Sequence, residues 1–335
     1  MHNERAVVGK SNRDQSPSYS GAGGENEMEI SNKNHRSLTS VLIVGYKSRD
    51  YIKNCLAGLF ESASGEKIEV LFIDCSNDGA AIFVKNSFPD VKVLEYQGNL
   101  GFARANNRLA SHARGQYLLL LNPDTVPASR NVAKLIEFAR ANPDACAWGG
   151  LTRLPSGQID GGSVQPMLSA LSILLSITGL QSRYLESANA AIPGRQCVPV
   201  LTGAFMLVNA VTWKQNHGFD ERFFMYAEEI DLCKRLSDAK GTLLLDASIE
   251  MIHDAGSGER RTAQRFLNRA RGNATFFNKH YSAVAACGCK TLMLVHAFSR
   301  ALIWTLRCDR TSANAFWQIV KCRSQWWNGW PKSHN

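Results

Sequence analysis

Val41-Leu-Ile-Val-Gly45, Tyr51-Ile-Lys-Asn-Cys-Leu-Ala-Gly-Leu-Phe60 and Ile68-Glu-Val-Leu-Phe-Ile73 follow one another as a short apolar run, an amphipathic segment and a second apolar run. Ile52, Cys55, Leu56 and Leu59 fall on one side of a 3.6-residue repeat, whereas the flanking runs are too short for buried helices and read as strands. Strands that are apolar at nearly every position are covered on both faces, the condition of a parallel sheet with helical crossovers. The same alternation continues outward through Val91-Lys-Val-Leu94, a helical segment over 103–113, Tyr117-Leu-Leu-Leu-Leu121, another over 131–141 and a short run at 145–148. It predicts an α/β domain built on a mostly parallel sheet.

The rest of the 335 residues frames that unit. Residues 1–37 are rich in Ser, Asn, Gly and charge, without apolar periodicity, and predict a disordered leader. No apolar h-region stands at the start, and no run reaches the ~18–20 uninterrupted apolar residues of a spanning helix. The nine Cys have no metal-ligand spacing and are expected to be reduced thiols. The net charge of +9 is unevenly placed: residues 259–335 carry 13 Lys and Arg against Glu259 and Asp309 alone, and hold five of the seven Trp. The chain therefore divides into a leader, a domain over 38–280, and a basic, Trp-rich helical extension over 281–335. Within that extension Leu292, Val295, Leu302, Ile303 and Leu306 share a helical stripe flanked by Trp304, Trp317, Arg300 and Arg307. Such a stripe suits a helix lying in a membrane interface, and an anionic surface is the expected partner. Nucleic acid is disfavoured, because the basic residues lie outside the α/β domain and no reading motif accompanies them.

Ligands of open α/β sheets bind outside the carboxyl ends of the strands, so the residues after each run carry the chemistry. Those are Gly45-Tyr46, Asp74-Cys-Ser-Asn-Asp78-Gly79 and Asn122-Pro-Asp124. One Asp at a strand end usually caps a turn; carboxylates after successive strands suggest a shared cleft. Asp124, delivered by an apolar strand and a rigid Pro turn, suits a hard cation such as Mg²⁺ or Mn²⁺, which takes oxygen ligands and leaves positions for water and phosphate. Neither a P-loop nor a Gly-x-Gly-x-x-Gly fingerprint is present, which removes most support for P-loop hydrolases and dinucleotide dehydrogenases. The second signal is Phe223-Phe-Met-Tyr-Ala-Glu-Glu-Ile-Asp231, with Glu228, Glu229 and Asp231 crowded at a helix start. One can cap the helix dipole while another, its pKa raised by burial and like charge, serves as a general base. His253, after the run 249–252, reads on its own as a structural histidine.

In order along the chain, Val41–Ser48, Asp74–Gly79, Gly98-Asn-Leu-Gly-Phe-Ala-Arg-Ala-Asn-Asn107, Leu119-Leu-Leu-Asn-Pro-Asp-Thr125 and Phe223–Arg235 resemble the inverting family 2 glycosyltransferases, and within them the rhamnosyltransferase-like branch. The resemblance spans about residues 38–280. It implies the glycosyltransferase A type fold, with Asp124 on the metal and the donor diphosphate, Asp74 on the donor base, and Tyr46, Asn99, Gly101, Arg104, Asn107 and Asn122 along the donor site. It makes Glu229 the general base, with Glu228 and Asp231 beside it, and His253 a second metal ligand. Glu229 stands where the family usually carries Asp, and Gly45 and Lys47 where it carries Asn.

The implied reaction is transfer of a sugar, L-rhamnose from dTDP-L-rhamnose or a sugar from a UDP donor, to a hydroxyl of a saccharide or polyprenyl-linked acceptor. That implies an enzyme of cell-surface polysaccharide or glycolipid synthesis, cytoplasmic and peripheral at the inner face of the cell membrane. A glycoside hydrolase would need its two carboxylates across a sugar rather than adjacent in sequence. A non-catalytic membrane-surface protein on a degenerate transferase fold is the remaining alternative.

Overall fold

The computed structural model describes residues 37–160, 162–163, 165–180, 194–254 and 262–331. The leader expected over 1–37 lies outside them except for Ser37, where a compact unit running to Asn335 begins.

Strands β1 (Thr39–Gly45), β2 (Ile68–Asp74), β3 (Val91–Leu94) and β4 (Tyr117–Leu121) lie parallel in the order β3-β2-β1-β4. Helices α1 (Ile52–Ser62), α2 (Ala80–Ser87) and α3 (Gly101–Ser111) make the crossovers. Successive side chains of a strand point to opposite faces, so each strand feeds two cores. Leu42, Leu71 and Leu120 pack with Ala103 and Leu109 of α3. Val41, Ile43 and Leu119 pack with the expected α1 stripe of Ile52, Cys55, Leu56 and Leu59.

Past β4 the sheet becomes mixed. Strand β8 (Phe205–Asn209) inserts antiparallel between β4 and β6 (Ala147–Arg153), and β9 (Leu243–His253) runs parallel to β6. Two three-residue strands, β5 (Thr125–Pro127) and β7 (Arg195–Cys197), add antiparallel to β9. Apolar runs announce burial but not direction, which is why the sequence pattern saw the parallel half more clearly. The runs at 242–245 and 249–253 are one strand, β9, carrying a register shift opposite Gly150 and Leu151.

Helices α4 (Asn131–Ala141), α5 (Ala170–Thr178), α6 (Ala210–Gln215), α7 (Glu228–Asp238) and α8 (Ala263–His280) complete the domain. Then α9 (Ala283–Leu306), α10 (Arg310–Lys321) and α11 (Arg323–Trp326) fold back on α8 around a third core of Leu267, Ala274, Ala297, Ile319 and Trp326. The Trp330 indole N–H donates to Met225 O at 2.9 Å, tying the chain's end to the loop before α7. All nine cysteines are free.

Candidate active site

A cleft of about 690 Å³ opens at the carboxyl ends of the central strands. Tyr46, Lys47, Asn122, Asp124, Glu228, Glu229 and His253 all line it, though they come from four separate stretches of sequence.

The Asp124–His253 pair is a product of strand pairing. After β4 the Asn122-Pro123-Asp124 turn closes with Thr125 donating both N–H and Oγ1–H to Asn122 O, at 3.2 and 2.6 Å. The chain then enters β5, where Thr125 lies directly opposite His253 of β9 and Asp254 N donates to Asp124 O at 2.9 Å. As a result His253 Nε2 lies 3.4 Å from Asp124 Oδ1 and 3.4 Å from Asn122 Nδ2. On the far side of the ring, Nδ1 lies 2.8 Å from Asp160 Oδ2. Burial disfavours a charged imidazole, but the hydrogen bonds and charges of Asp124 and Asp160 outweigh it and push the His253 pKa up to about 9. Burial likewise acts to raise the Asp160 carboxyl, yet His253 holds it below the usual carboxylate range.

These residues fit a hard divalent cation. A carboxylate oxygen and an imidazole nitrogen converge on one point, and a carboxylate behind the imidazole fixes the ring as ligating histidines require. No group of three or more His, Cys, Asp or Glu side chains placed to hold a metal ion occurs among the described residues, so the remaining positions would fall to water and phosphate oxygens.

The start of α7 supplies another part of the lining. Tyr226 and Ala227 enter the helix at φ 68° and 70°, two consecutive left-handed residues without glycine's freedom. The strain is held from two sides: Phe102 N donates to Phe224 O at 2.8 Å, and the backbone of Tyr226 lies against Gly272 of α8. Gly101 is required here, since a Cβ on it would sit 2.3 Å from Phe224 O and its φ is 75°. The outcome is a pair of adjacent carboxylates, a buried Glu228 and a half-buried Glu229, each with an Oε2 that no hydrogen bond satisfies. Burial, then the charge of Glu229, drives the Glu228 pKa well above the ordinary range. Burial also raises Glu229, opposed by backbone N–H groups, Arg269 and Gln165. A carboxylate poised to accept a proton is what this part of the lining offers.

The other residues singled out from sequence lie off the cleft walls. Asp74 Oδ1 caps its own turn, accepting from Ser76 N, Ser76 Oγ and Asn77 N at 2.9, 2.9 and 3.1 Å. Asn99 Oδ1 accepts from Gly101 N at 3.1 Å. Asn107 forms a two-way clamp with the backbone of Phe219, and Arg104 pairs with Glu221 at 3.1 Å, so both hold the loop that leads to α7. Asp231 points away because helical rotation separates it from Glu229. It is fully buried against Arg235, Lys279 and His280 at 2.8, 2.6 and 2.7 Å. Burial would raise its pKa, but His280, Lys279 and Arg235 hold it low. It anchors α8 to α7.

Sequence reasoning did not find Asp160 and Gln165, from the irregular stretch after β6, nor Arg265, Asn268, Arg269 and Asn273 of α8. The α8 residues repeat at helical spacing, which was the available signal.

The described site is thus a cleft at strand ends that brings together a carboxylate–imidazole pair, Asp124 and His253, and two adjacent carboxylates, Glu228 and Glu229. Residues 40–187 match the model of the family described as Glycosyl transferase family 2. It is 29% identical over 241 residues to an N-acetylglucosaminyl-diphospho-decaprenol L-rhamnosyltransferase of Mycobacterium tuberculosis, covering 64% of this chain and 75% of that one. It is 27% identical over 229 residues to rhamnosyltransferase WbbL of Escherichia coli K12, covering 65% and 84%. Among solved structures, a mannosyltransferase of Pyrobaculum calidifontis in complex with GDP-Man and Mn²⁺ superposes with a TM-score of 0.57 at 15% identity, over 87% of this chain and 81% of that one. GalNAc-T7 with UDP, GalNAc and Mn²⁺ superposes with a TM-score of 0.54 at 14% identity, over 89% and 59%. At those identities the likeness is one of fold.

Proposed function

We propose that the protein is an inverting L-rhamnosyltransferase that uses dTDP-L-rhamnose and a polyprenyl-diphosphate-linked saccharide acceptor. The observation that carries this reading is the convergence of Asp124 and His253 with Glu228 and Glu229 on one cleft. The rhamnosyltransferase relatives, one of them named for a decaprenol-linked acceptor, support the sugar and the acceptor class.

In the proposed reaction the acceptor hydroxyl approaches Glu229, which takes its proton as the oxygen bonds to the anomeric carbon. The bond from that carbon to the donor diphosphate breaks on the opposite face, which inverts the configuration. Glu228 remains protonated beside Glu229, so the pair carries a single charge. Asp124 and His253 would hold Mg²⁺ or Mn²⁺, which when bound neutralises charge developing on the leaving diphosphate. Asp160 keeps Nε2 of His253 turned toward that point.

We further place the enzyme at a membrane surface. Leu171 and Leu174 of α5 and Phe298, Leu302 and Leu306 of α9 are exposed beside a basic quarter of the chain. α9 is long and apolar enough to cross a bilayer, but α5, α8 and α10 pack along it, and an interfacial position suits such a helix.

The test is thermal unfolding with a panel of nucleotide sugars, each with and without Mn²⁺. A ligand at 100 times its Kd adds about 2.7 kcal/mol. dTDP-L-rhamnose with Mn²⁺ should raise Tm by several degrees and neither partner should do so alone. Stabilisation by a UDP-sugar instead moves the donor assignment to that nucleotide, and none by any nucleotide removes the transferase reading.

A further inference from the structure

A second cavity, of about 350 Å³, lies between α5, α8, α9 and α10. Its walls include Leu168, Ile173, Phe266, Met293, Ala297 and Phe316, and it shares Gln165, Arg269 and Asn273 with the walls of the catalytic cleft. The two spaces therefore meet at a threshold of one cation and two amides. The single titratable ring in the apolar wall, His296, has an Nδ1 that no hydrogen bond satisfies. Burial, reinforced by the charge of Arg300, brings its pKa down to about 4, so the wall is uncharged at neutral pH. The volume falls at the lower end of small-molecule sites, about 300–1,000 Å³, enough for a segment of a chain rather than a whole lipid.

Resting on the acceptor class proposed above, we infer that this cavity receives the first isoprenoid units of the lipid-linked acceptor, with Arg269 at the threshold beside its diphosphate. Three observations converge. The cavity is apolar where a hydrocarbon would lie. The residue at its junction with the cleft is cationic where an anionic linkage must pass. The outer faces of α5 and α9, which supply much of its wall, carry the exposed Leu171, Leu174 and Phe298, through which the remainder of a long chain can reach a bilayer. Continuity with the catalytic cleft distinguishes this occupant from an acyl chain of the surrounding membrane, which has no reason to reach Gln165 and Asn273.

The experiment uses the full chain with Mn²⁺, dTDP-L-rhamnose and two soluble acceptors: N-acetylglucosaminyl diphosphate esterified to farnesyl or to methyl. Wild-type enzyme should prefer the farnesyl compound in kcat/KM. Ser176→Trp and Met293→Trp, which fill the cavity from α5 and α9, should each lower that preference on the order of tenfold, the loss expected when roughly two methylenes stay in water. A farnesyl acceptor ending in benzophenone should photolabel the peptides holding residues 168–176 or 293–297, and this reading is independent of turnover. Absence of transfer to either acceptor with labelling intact would count against the proposed reaction and leave the cavity assignment standing. An unchanged preference in both variants, or labelling elsewhere, overturns the cavity assignment. Displacement of the label by phosphatidylglycerol vesicles as readily as by unlabelled farnesyl compound overturns it in favour of a bilayer lipid.

Discussion

At the scale of single residues, each wall of the cleft supplies its own prediction. Asp124→Asn removes the charge of the proposed metal ligand without changing size; transfer should be nearly abolished while the unfolding transition stays cooperative, and activity near wild type at saturating Mn²⁺ would exclude the metal assignment. Glu229→Gln should cost about 10²–10⁴ in kcat, the usual worth of a lost base, with donor affinity retained. Glu228→Gln tests the pair differently. The native carboxyl has a raised pKa, so the folded state holds a proton that the unfolded chain releases above the ordinary carboxylate range. That contribution to stability is present in acid and is lost as pH rises through the raised value. The neutral isostere carries no such loss, so the Tm of Glu228→Gln should exceed wild type at pH 8, and the gap should close toward pH 4. A constant gap would mean the carboxyl does not titrate abnormally. The strand-end rule made Asp124 readable from sequence, and the acidic crowding made Glu228 and Glu229 readable. It gave no access to Asp160, because an irregular segment reveals its partner only when β9 places His253 beside it.

At the scale of elements, the site depends on two junctions. One is the β5–β9 pairing, three residues long, that sets Thr125 opposite His253. The other is the left-handed entry to α7, held by Gly101 and Gly272. Gly101→Ala should destabilise by about 1–3 kcal/mol, since it adds a Cβ against a carbonyl and strains a positive φ. Because α7 carries the proposed base, kcat should fall more steeply than stability alone explains. Full activity in a folded Gly101→Ala protein would show that the entry geometry is not needed. The motif 98–107 is legible as a pattern, but its use differs from a simple lining: Asn99, Arg104 and Asn107 spend their side chains on the loop and helix starts around the cleft. Spacing alone does not say whether a polar side chain faces a ligand or the neighbouring backbone.

At the scale of the whole molecule, the first half of the sheet was predictable from its apolar runs and the second half was not, because antiparallel β8 and the merged β9 leave no directional trace in sequence. The C-terminal quarter read as a basic stripe, and the fold adds that its inner face closes a third core around Trp326. Its exposed face supplies a separate test: wild type should sediment with phosphatidylglycerol vesicles at low salt. Phe298→Glu with Leu302→Glu should remain in solution, and equal sedimentation of both would remove the membrane role. The central claim is tested most directly by incubating the enzyme, Mn²⁺ and dTDP-L-rhamnose with a lipid-diphosphate-linked N-acetylglucosamine and assigning the product by NMR. The account predicts one added rhamnose with anomeric configuration opposite to that of the donor, absent from the Asp124→Asn reaction and slowed by orders of magnitude with Glu229→Gln; a product of retained configuration, or one formed equally well by the Glu229→Gln enzyme, would contradict it.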